Sequence, residues 1–281
     1  MTTALDGMTN GRDNSSNAGE ARVIRTIIAD DSSTVCKFVE RALLQTGRLF
    51  DITMVHDGHQ AVQSLSKQAY DLAFLDINMP QLNGVEVMAA IHVMGGKTFA
   101  ISMSNELDAT AEQKLKSFGA YDFLKKPFTN KQIHEIVKTY DAIHTRHSVL
   151  IVDDSATVRK IVSKVLQKSI FDLAIVEAED GRSALDEVKT NGYRIIFSDF
   201  NMPNMNGIEL AQKLAAYTHR SDVILMSTEM NDALDRAAEE VGARAFLRKP
   251  FYPQDVDTIL HHIFGLCHSR FSKQVRMFAT V

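Results

Sequence analysis

Short apolar runs alternate with amphipathic segments along most of this chain. In the segments between the runs, apolar residues recur every three or four positions, as Val35, Phe38, Val39, Ala42 and Leu43 do, which is typical of a helix with one buried face. The first part of the chain has five predicted strands, Val23–Ala29, Ile52–Val55, Leu72–Leu75, Phe99–Met103 and Phe123–Leu124. The helices predicted between and after them are Ser33–Thr46, Gly58–Gln68, Gly84–Met94, Asp108–Phe118 and Thr129–Ile143.

The second part of the chain repeats this alternation. Its predicted strands are Val149–Val152, Ala174–Val176, Ile195–Phe197, Val223–Met226 and Ala245–Leu247. Strands that alternate with helices predict βαβ units and a parallel sheet covered by helices on both faces. Five such units in each part predict the α/β class, with two doubly wound (βα)5 domains of the flavodoxin-like kind, each built on a parallel five-stranded sheet.

Polar motifs also occur twice, at a constant interval. Asp153-Asp154-Ser155 follows Asp30-Asp31-Ser32 by 123 residues. At the same interval are found Asp57-Gly58 and Asp180-Gly181, Asp76-Ile77-Asn78-Met79-Pro80 and Asp199-Phe200-Asn201-Met202-Pro203, Asn83-Gly84 and Asn206-Gly207, and Lys126-Pro127-Phe128 and Lys249-Pro250-Phe251. Solenoid repeats are shorter, about 20–50 residues. The repeating unit is therefore a whole small domain.

Length and composition divide the chain further. A chain of 281 residues is long enough for two domains. We predict a disordered leader at 1–22, the first repeat at 23–144, the second repeat at 147–266 and a short tail at 267–281. Few residues lie between the repeats, so their relative orientation is expected to be restricted.

Charge and cysteine content narrow the class of protein. The net charge is −4, so the sequence shows no bias toward nucleic acid. The two cysteines, Cys36 and Cys267, lie far apart, which favours a reducing compartment. No apolar stretch approaches the ~18 residues of a membrane span. We therefore expect a cytoplasmic protein with no membrane span and no nucleic-acid partner.

The repeated polar residues fall at the carboxyl ends of predicted strands, where open α/β sheets bind ligands. In the first repeat they are Asp30 and Asp31, Asp76, Ser104 and Lys126. Three carboxylates brought close together repel one another unless a cation intervenes, and Mg²⁺ is a hard cation that takes oxygen ligands. Mg²⁺, an ammonium group and a free carboxylate together suit phosphoryl transfer to that carboxylate.

This combination of motifs resembles the receiver domain of two-component response regulators, twice over. The resemblance covers about 24–141 and 147–265. It implies that Asp76 and Asp199 accept phosphate from a histidine kinase or a histidine phosphotransfer protein. Since no room remains for a separate catalytic or DNA-binding module, the resemblance implies output by contact with an unknown downstream protein, and no enzyme activity beyond self-phosphorylation and dephosphorylation.

The resemblance also implies a role for each site residue. The magnesium ligands would be Asp30, Asp31, Asp76 and the backbone carbonyl of Asn78 in the first repeat, and Asp153, Asp154, Asp199 and Asn201 in the second. Lys126 and Lys249 would contact a phosphoryl oxygen, each before a cis proline. Ser104 and Ser227 would be the switch hydroxyls, and Phe123 and Phe246 the aromatic rings that turn inward on phosphorylation.

Three other interpretations of the function remain open, one of which is that the chain shares the layout of the family's tandem-receiver cyclases and lost or never had the catalytic part. The chain could be a phosphate sink or a phosphorylation-independent adaptor. A phosphohydrolase of the haloacid-dehalogenase type also uses an Asp nucleophile, but it wants a second Asp two residues later, where this chain has Asn78 and Asn201. Finally, the residues His261, His262, Cys267 and His268 suggest zinc but fit no common spacing, so a helix end and a tail are the preferred interpretation.

Overall fold

The computed structural model describes residues 22–217, 221–229 and 232–266. Within these ranges ten strands alternate with ten helices. The first repeat contains β1 (Ile24–Ala29), α1 (Ser33–Leu44), β2 (Phe50–Val55), α2 (Gly58–Lys67), β3 (Leu72–Asp76), α3 (Gly84–Val93), β4 (Phe99–Ser104), α4 (Ala109–Ser117), β5 (Asp122–Lys125) and α5 (Asn130–His144). The second contains β6 (His147–Val152), α6 (Ala156–Leu166), β7 (Leu173–Ala178), α7 (Gly181–Asn191), β8 (Ile195–Asp199), α8 (Gly207–Ala215), β9 (Asp222–Ser227), α9 (Asp232–Glu240), β10 (Ala245–Arg248) and α10 (Pro253–Ile263).

Each repeat forms its own parallel five-stranded sheet. The strand order is β2-β1-β3-β4-β5 in the first and β10-β9-β8-β6-β7 in the second. Every residue of the central strand β3 is buried, as expected for a strand with helices on both faces. The predicted fold class is therefore confirmed.

The structure extends several predicted strands. β2 begins at Phe50, two residues before the predicted start, because Phe50 and Asp51 pair with Ile24 and Arg25 of β1. Asp51 is exposed and polar, so the apolar pattern did not include it in the strand, although its backbone pairs with β1.

The repeated Asx-Gly motifs are helix N-termini. The Asp57 side chain accepts a hydrogen bond from the Gln60 N–H at 2.7 Å and caps α2. Asn83 and Glu86 form a reciprocal capping box at α3. A Cβ at Gly84 would lie 2.3 Å from the Asp76 carbonyl oxygen, so only glycine lets α3 start this close to the end of β3.

One hydrophobic cluster runs through both repeats. It joins Tyr140 and Ile143 of α5 to Phe171 and Ile263 of the second repeat. The backbone follows the same course, since the Asp172 N–H donates to the Ile143 carbonyl at 2.9 Å. The two repeats are thus packed together as well as joined in sequence. Across the described ranges, no helix is long and apolar enough to cross a bilayer.

Candidate functional sites

The carboxyl ends of the strands place the predicted site residues in the two repeats alike. In the first repeat Asp30 follows β1, Asp76 and Ser104 end β3 and β4, and Lys126 follows β5. In the second repeat the corresponding residues are Asp153, Asp199, Ser227 and Lys249. We refer to the first set, with Asp31 and Asn78, as the first site, and to the second set, with Asp154 and Asn201, as the second site.

The first site is centred on the ammonium group of Lys126. Its Nζ lies 2.6 Å from Asp30 Oδ2 and 2.9 Å from Asp76 Oδ1. Asp30 Oδ1 accepts the Ser32 N–H at 2.9 Å. Asp76 Oδ1 is buried and lies against the Lys126 ammonium group, so Lys126 compensates the charge of both carboxylates.

The carboxylates of the first site lie close enough to share a cation. One oxygen each from Asp30, Asp31 and Asp76 lies within 4.8 Å of the others. Asp31 is exposed, whereas the other two are buried. Carboxylate oxygens are the ligands that Mg²⁺ prefers, and solvent access leaves room for the waters that it keeps. The residues present fit a magnesium ion.

Asn78 and Ser104 complete one wall of the first site. The Asn78 Nδ2 donates to Ser104 Oγ at 3.1 Å. A cavity of about 690 Å³ is lined by Asn78 together with Asp76 and Lys126, and the apolar side chains of Phe38 and Phe128 also line it. The site is accessible to a large phosphodonor group.

Burial and charge act against each other at Asp76 and Lys126. Burial raises the pKa of Asp76, the hydrogen bond with Lys126 lowers it and the neighbouring Asp30 charge raises it again, with a net rise. Burial alone would lower the pKa of Lys126, but Asp30 and Asp76 outweigh it, so that pKa is raised. The lysine stays charged, and a bound dication would favour the ionised aspartate.

The second site has the same residues in a different arrangement. Lys249 Nζ lies 2.7 Å from both Asp153 Oδ2 and Asp199 Oδ1, in hydrogen-bonding geometry. Asp199 Oδ2 accepts the Asn201 N–H at 3.1 Å, so both oxygens of Asp199 are bonded. Among the described residues, the only three acidic groups gathered closely enough for a shared ion are those of the first site.

The two predicted switch positions also differ. Phe123 is half-buried, whereas Phe246 is 3% exposed and packs against Phe200 with ring centroids 6.1 Å apart. The Ser227 hydroxyl accepts the Glu229 N–H at 3.1 Å. Both lysine–proline bonds, Lys126–Pro127 and Lys249–Pro250, are cis, as the resemblance implied.

Sequence reasoning missed the residues behind the first aspartate of each pair. An Arg159 guanidinium nitrogen donates to the Asp153 carbonyl at 2.8 Å. In the first repeat the Asp30 carbonyl instead accepts from Cys36 Sγ at 3.5 Å and from His56 Nδ1 at 3.0 Å. Cys36 and Arg159 are 123 residues apart, so a comparison of the two repeats position by position would have marked them.

His261, one of the residues that suggested zinc, has other partners in the structure. His261 is buried, and its Nδ1 donates to the Asp257 carbonyl at 2.6 Å. Its Nε2 contacts the Tyr121 hydroxyl of the first repeat at 2.5 Å. Cys267 and His268 lie outside the described residues, as do the predicted leader and tail apart from Arg22.

Comparison with known proteins agrees with this geometry. The family model described as "Response regulator receiver domain" matches residues 26–138 and again 149–261. A chemotaxis protein CheY homolog of Campylobacter jejuni is 35% identical over 120 residues, which are 42% of this chain and 92% of that protein.

Two solved structures extend the comparison. One, described as a two-component response regulator with a GGDEF domain, is 22% identical, with a TM-score of 0.58 over 86% of this chain and 98% of the other, and shows a shared fold. The receiver domain of a sensor histidine kinase from Pseudomonas aeruginosa is 23% identical over 42% of this chain and 98% of its own length, with a TM-score of 0.38. That protein holds a magnesium ion in its active-site cleft.

Proposed function

Since the chain belongs to the response regulator receiver family, which acts in phosphorelay signalling, and contains the domain twice, we propose that it takes up phosphate at Asp76 and at Asp199. The donor is a histidine kinase or a histidine phosphotransfer protein. The output is a contact with a downstream protein, in the cytoplasm.

One observation carries this proposal: in both repeats a half-buried lysine contacts two carboxylates at the carboxyl ends of the strands. Lys126 contacts Asp30 and Asp76 within 2.9 Å. Removing charged groups from water costs stability, so such a cluster is retained where it has a function. Perturbed ionisable groups accordingly concentrate at functional sites. A purely structural pair would not need an accessible cavity above it.

The residues of each site have distinct tasks in the proposed transfer. A carboxylate oxygen of Asp76 forms the new bond to phosphorus, while the bond from phosphorus to the donor imidazole breaks and that nitrogen keeps the electron pair. Asp30, Asp31, Asp76 and the backbone of Asn78 would hold Mg²⁺, which supplies charge neutralisation of the phosphoryl oxygens. The Lys126 ammonium, 2.9 Å from Asp76, is placed to bind a phosphoryl oxygen once Asp76 carries it.

The response to phosphorylation would start from contacts already present. Ser104 is hydrogen-bonded to Asn78, and a new phosphoryl oxygen on Asp76 would compete for its hydroxyl. Movement of Ser104 would free space for the half-buried Phe123 to turn inward. The surface of α4, β5 and α5 would change with it, which is the two-state element that the phosphoryl group biases.

Labelling with a small phosphodonor tests the proposal. The full chain, Asp76→Asn and Asp199→Asn are incubated with acetyl phosphate and MgCl2, and intact mass is measured. We expect up to two added phosphoryl groups on the wild type, one on each variant and none on the double variant. No added mass on the wild type, in the presence of a receiver that labels under the same conditions, would refute the proposal.

A further inference from the structure

We propose that Arg159 weakens magnesium binding at the second site, so that the first site fills at a lower Mg²⁺ concentration. The inference rests on the proposed function, because it concerns the ion that both sites would use. It makes Arg159 a positioning residue that acts on the ion through Asp153.

The two repeats differ in charge immediately behind the metal ligands. Arg159 and Glu177 of the second repeat form an ion pair with a 3.1 Å separation. The residues 123 positions earlier are Cys36 and Met54. Cys36 Sγ donates to the Asp30 carbonyl and so keeps its proton, and Met54 has no ionisable group. An ion pair has thus replaced a neutral pair.

The two halves of that ion pair are unequally screened. The Arg159 side chain is 14% exposed, whereas that of Glu177 is 37% exposed. The guanidinium also reaches 2.8 Å from the carbonyl of Asp153, a predicted ligand. Because water screens Glu177 more than Arg159, this ion pair makes a net positive contribution to the potential at the second site. That potential opposes a dication.

The contacts of the two phosphate-accepting aspartates also differ between the sites. Asp199 has both oxygens bonded, to Lys249 and to the Asn201 N–H, so an incoming ion must displace a partner. Asp76 Oδ1 lies 2.9 Å from Lys126 Nζ, a longer approach than the 2.7 Å between Asp199 and Lys249. Each of the three carboxylates of the first site has an oxygen within 4.8 Å of the others, and the described part of the second site has no such group.

Calorimetric titration with MgCl2 measures each site in the full chain. Asp31→Asn/Asp76→Asn removes the first site, and Asp154→Asn/Asp199→Asn removes the second. We expect the second site to bind with a Kd on the order of tenfold higher than the first, the effect of a unit charge only partly screened. Equal values, or tighter binding at the second site, would overturn the inference.

Replacing the ion pair tests whether Arg159 causes the difference in Kd between the two sites. With the first site removed, Arg159→Cys/Glu177→Met recreates the neutral pair and is expected to lower the second-site Kd by at least about threefold, since the less screened charge of Arg159 is removed together with the more screened charge of Glu177. Arg159→Gln alone tests the charge if the double variant does not fold, which circular dichroism decides. Lys160→Met removes an exposed cation from the next position of α6 and is expected to leave the Kd unchanged.

The results separate this inference from the proposed function. Unchanged binding in both Arg159 variants, or an equal gain in Lys160→Met, would overturn the role of Arg159 while magnesium binding and labelling persist. An absence of magnesium binding at both sites would refute the proposed function itself, and this inference with it.

Discussion

The hydroxyl of Tyr121 in the first repeat and Nε2 of His261 in the second are 2.5 Å apart. Since His261 Nδ1 donates to the Asp257 carbonyl, its Nε2 is the acceptor and Tyr121 is the donor. Tyr121 also packs on Phe99, with ring centroids 4.1 Å apart. The residues at the start of β4 and before β5 thereby contact α10, the last helix of the second repeat.

Replacing this hydroxyl tests the contact between the repeats. Tyr121→Phe is expected to lower the free energy of unfolding by roughly 1–2 kcal/mol, because the buried His261 loses a donor. It should also raise hydrogen exchange at the end of α5 and the start of β6. Tyr193→Phe is the control, since its hydroxyl donates to Glu187 at 2.6 Å within one repeat. Faster exchange at the junction in both variants would show that the effect is not specific to Tyr121.

The carboxyl group of Asp257 predicts a pH dependence of stability. Burial raises its pKa from 3.8 to about 6, although hydrogen bonds from Ser169 and Ile170 oppose the rise. The folded state thus holds this proton more tightly than the unfolded chain, so its contribution is fully present below pH 3.8 and is lost as pH rises through about 6.

Asp257→Asn removes the free-energy cost of ionising this buried carboxyl group. We expect it to stabilise the protein at pH 7 by up to ~3 kcal/mol, because each unit of the rise in pKa corresponds to about 1.4 kcal/mol. The variant should also lose less unfolding free energy than the wild type as the pH rises from 3.8 to about 6. Urea unfolding across this pH range measures it. Asp186→Asn, at an exposed ion pair with Lys189, is expected to change stability by less than about 0.5 kcal/mol. A destabilised Asp257→Asn protein at pH 7 would contradict the prediction.

The equivalent glycines Gly58 and Gly181 should respond unequally to alanine. A Cβ at Gly58 would lie 1.9 Å from the Leu82 carbonyl oxygen, which is backbone. A Cβ at Gly181 would instead meet the Met205 Sδ at 2.7 Å, the end of a flexible side chain. We expect Gly58→Ala to cost about 3 kcal/mol and Gly181→Ala about 1 kcal/mol or less in unfolding experiments. Equal costs would show that the backbone after β3 yields as easily as a methionine.

Removal of Lys126 should make stability depend on magnesium. Lys126→Met leaves Asp30 and Asp76 buried without their cation, at a cost of about 3–5 kcal/mol. Excess MgCl2 should restore part of this loss, since it binds the folded state. Lys125→Met, at the exposed preceding residue, is the control. Identical denaturation curves for the two variants, with or without MgCl2, would contradict a charge-compensating role for Lys126.

The sequence predicted the fold because its signals are local. Apolar runs located β1, β3 and β4, and the Asp57 and Asn83 motifs located two helix starts. The gathering of Asp30, Asp76 and Lys126 also followed, because parallel strands end at one edge of a sheet.

Contacts between distant side chains could not be predicted in this way. Tyr121 and His261 are 140 residues apart, and no periodic pattern relates them. Arg159 belongs to none of the repeated motifs, so the effect that we propose for it could not be predicted from them. Identical motifs therefore predicted identical sites, whereas the structure gives their aspartates different partners.

The junction between the repeats has a mechanical consequence. α5 ends at His144 and β6 begins at His147, so only Thr145 and Arg146 connect the last helix of the first repeat to the first strand of the second. Two residues leave little freedom for this helix and strand to move independently. We therefore expect a displacement of α5 to be transmitted to β6 and so to reorient the second repeat.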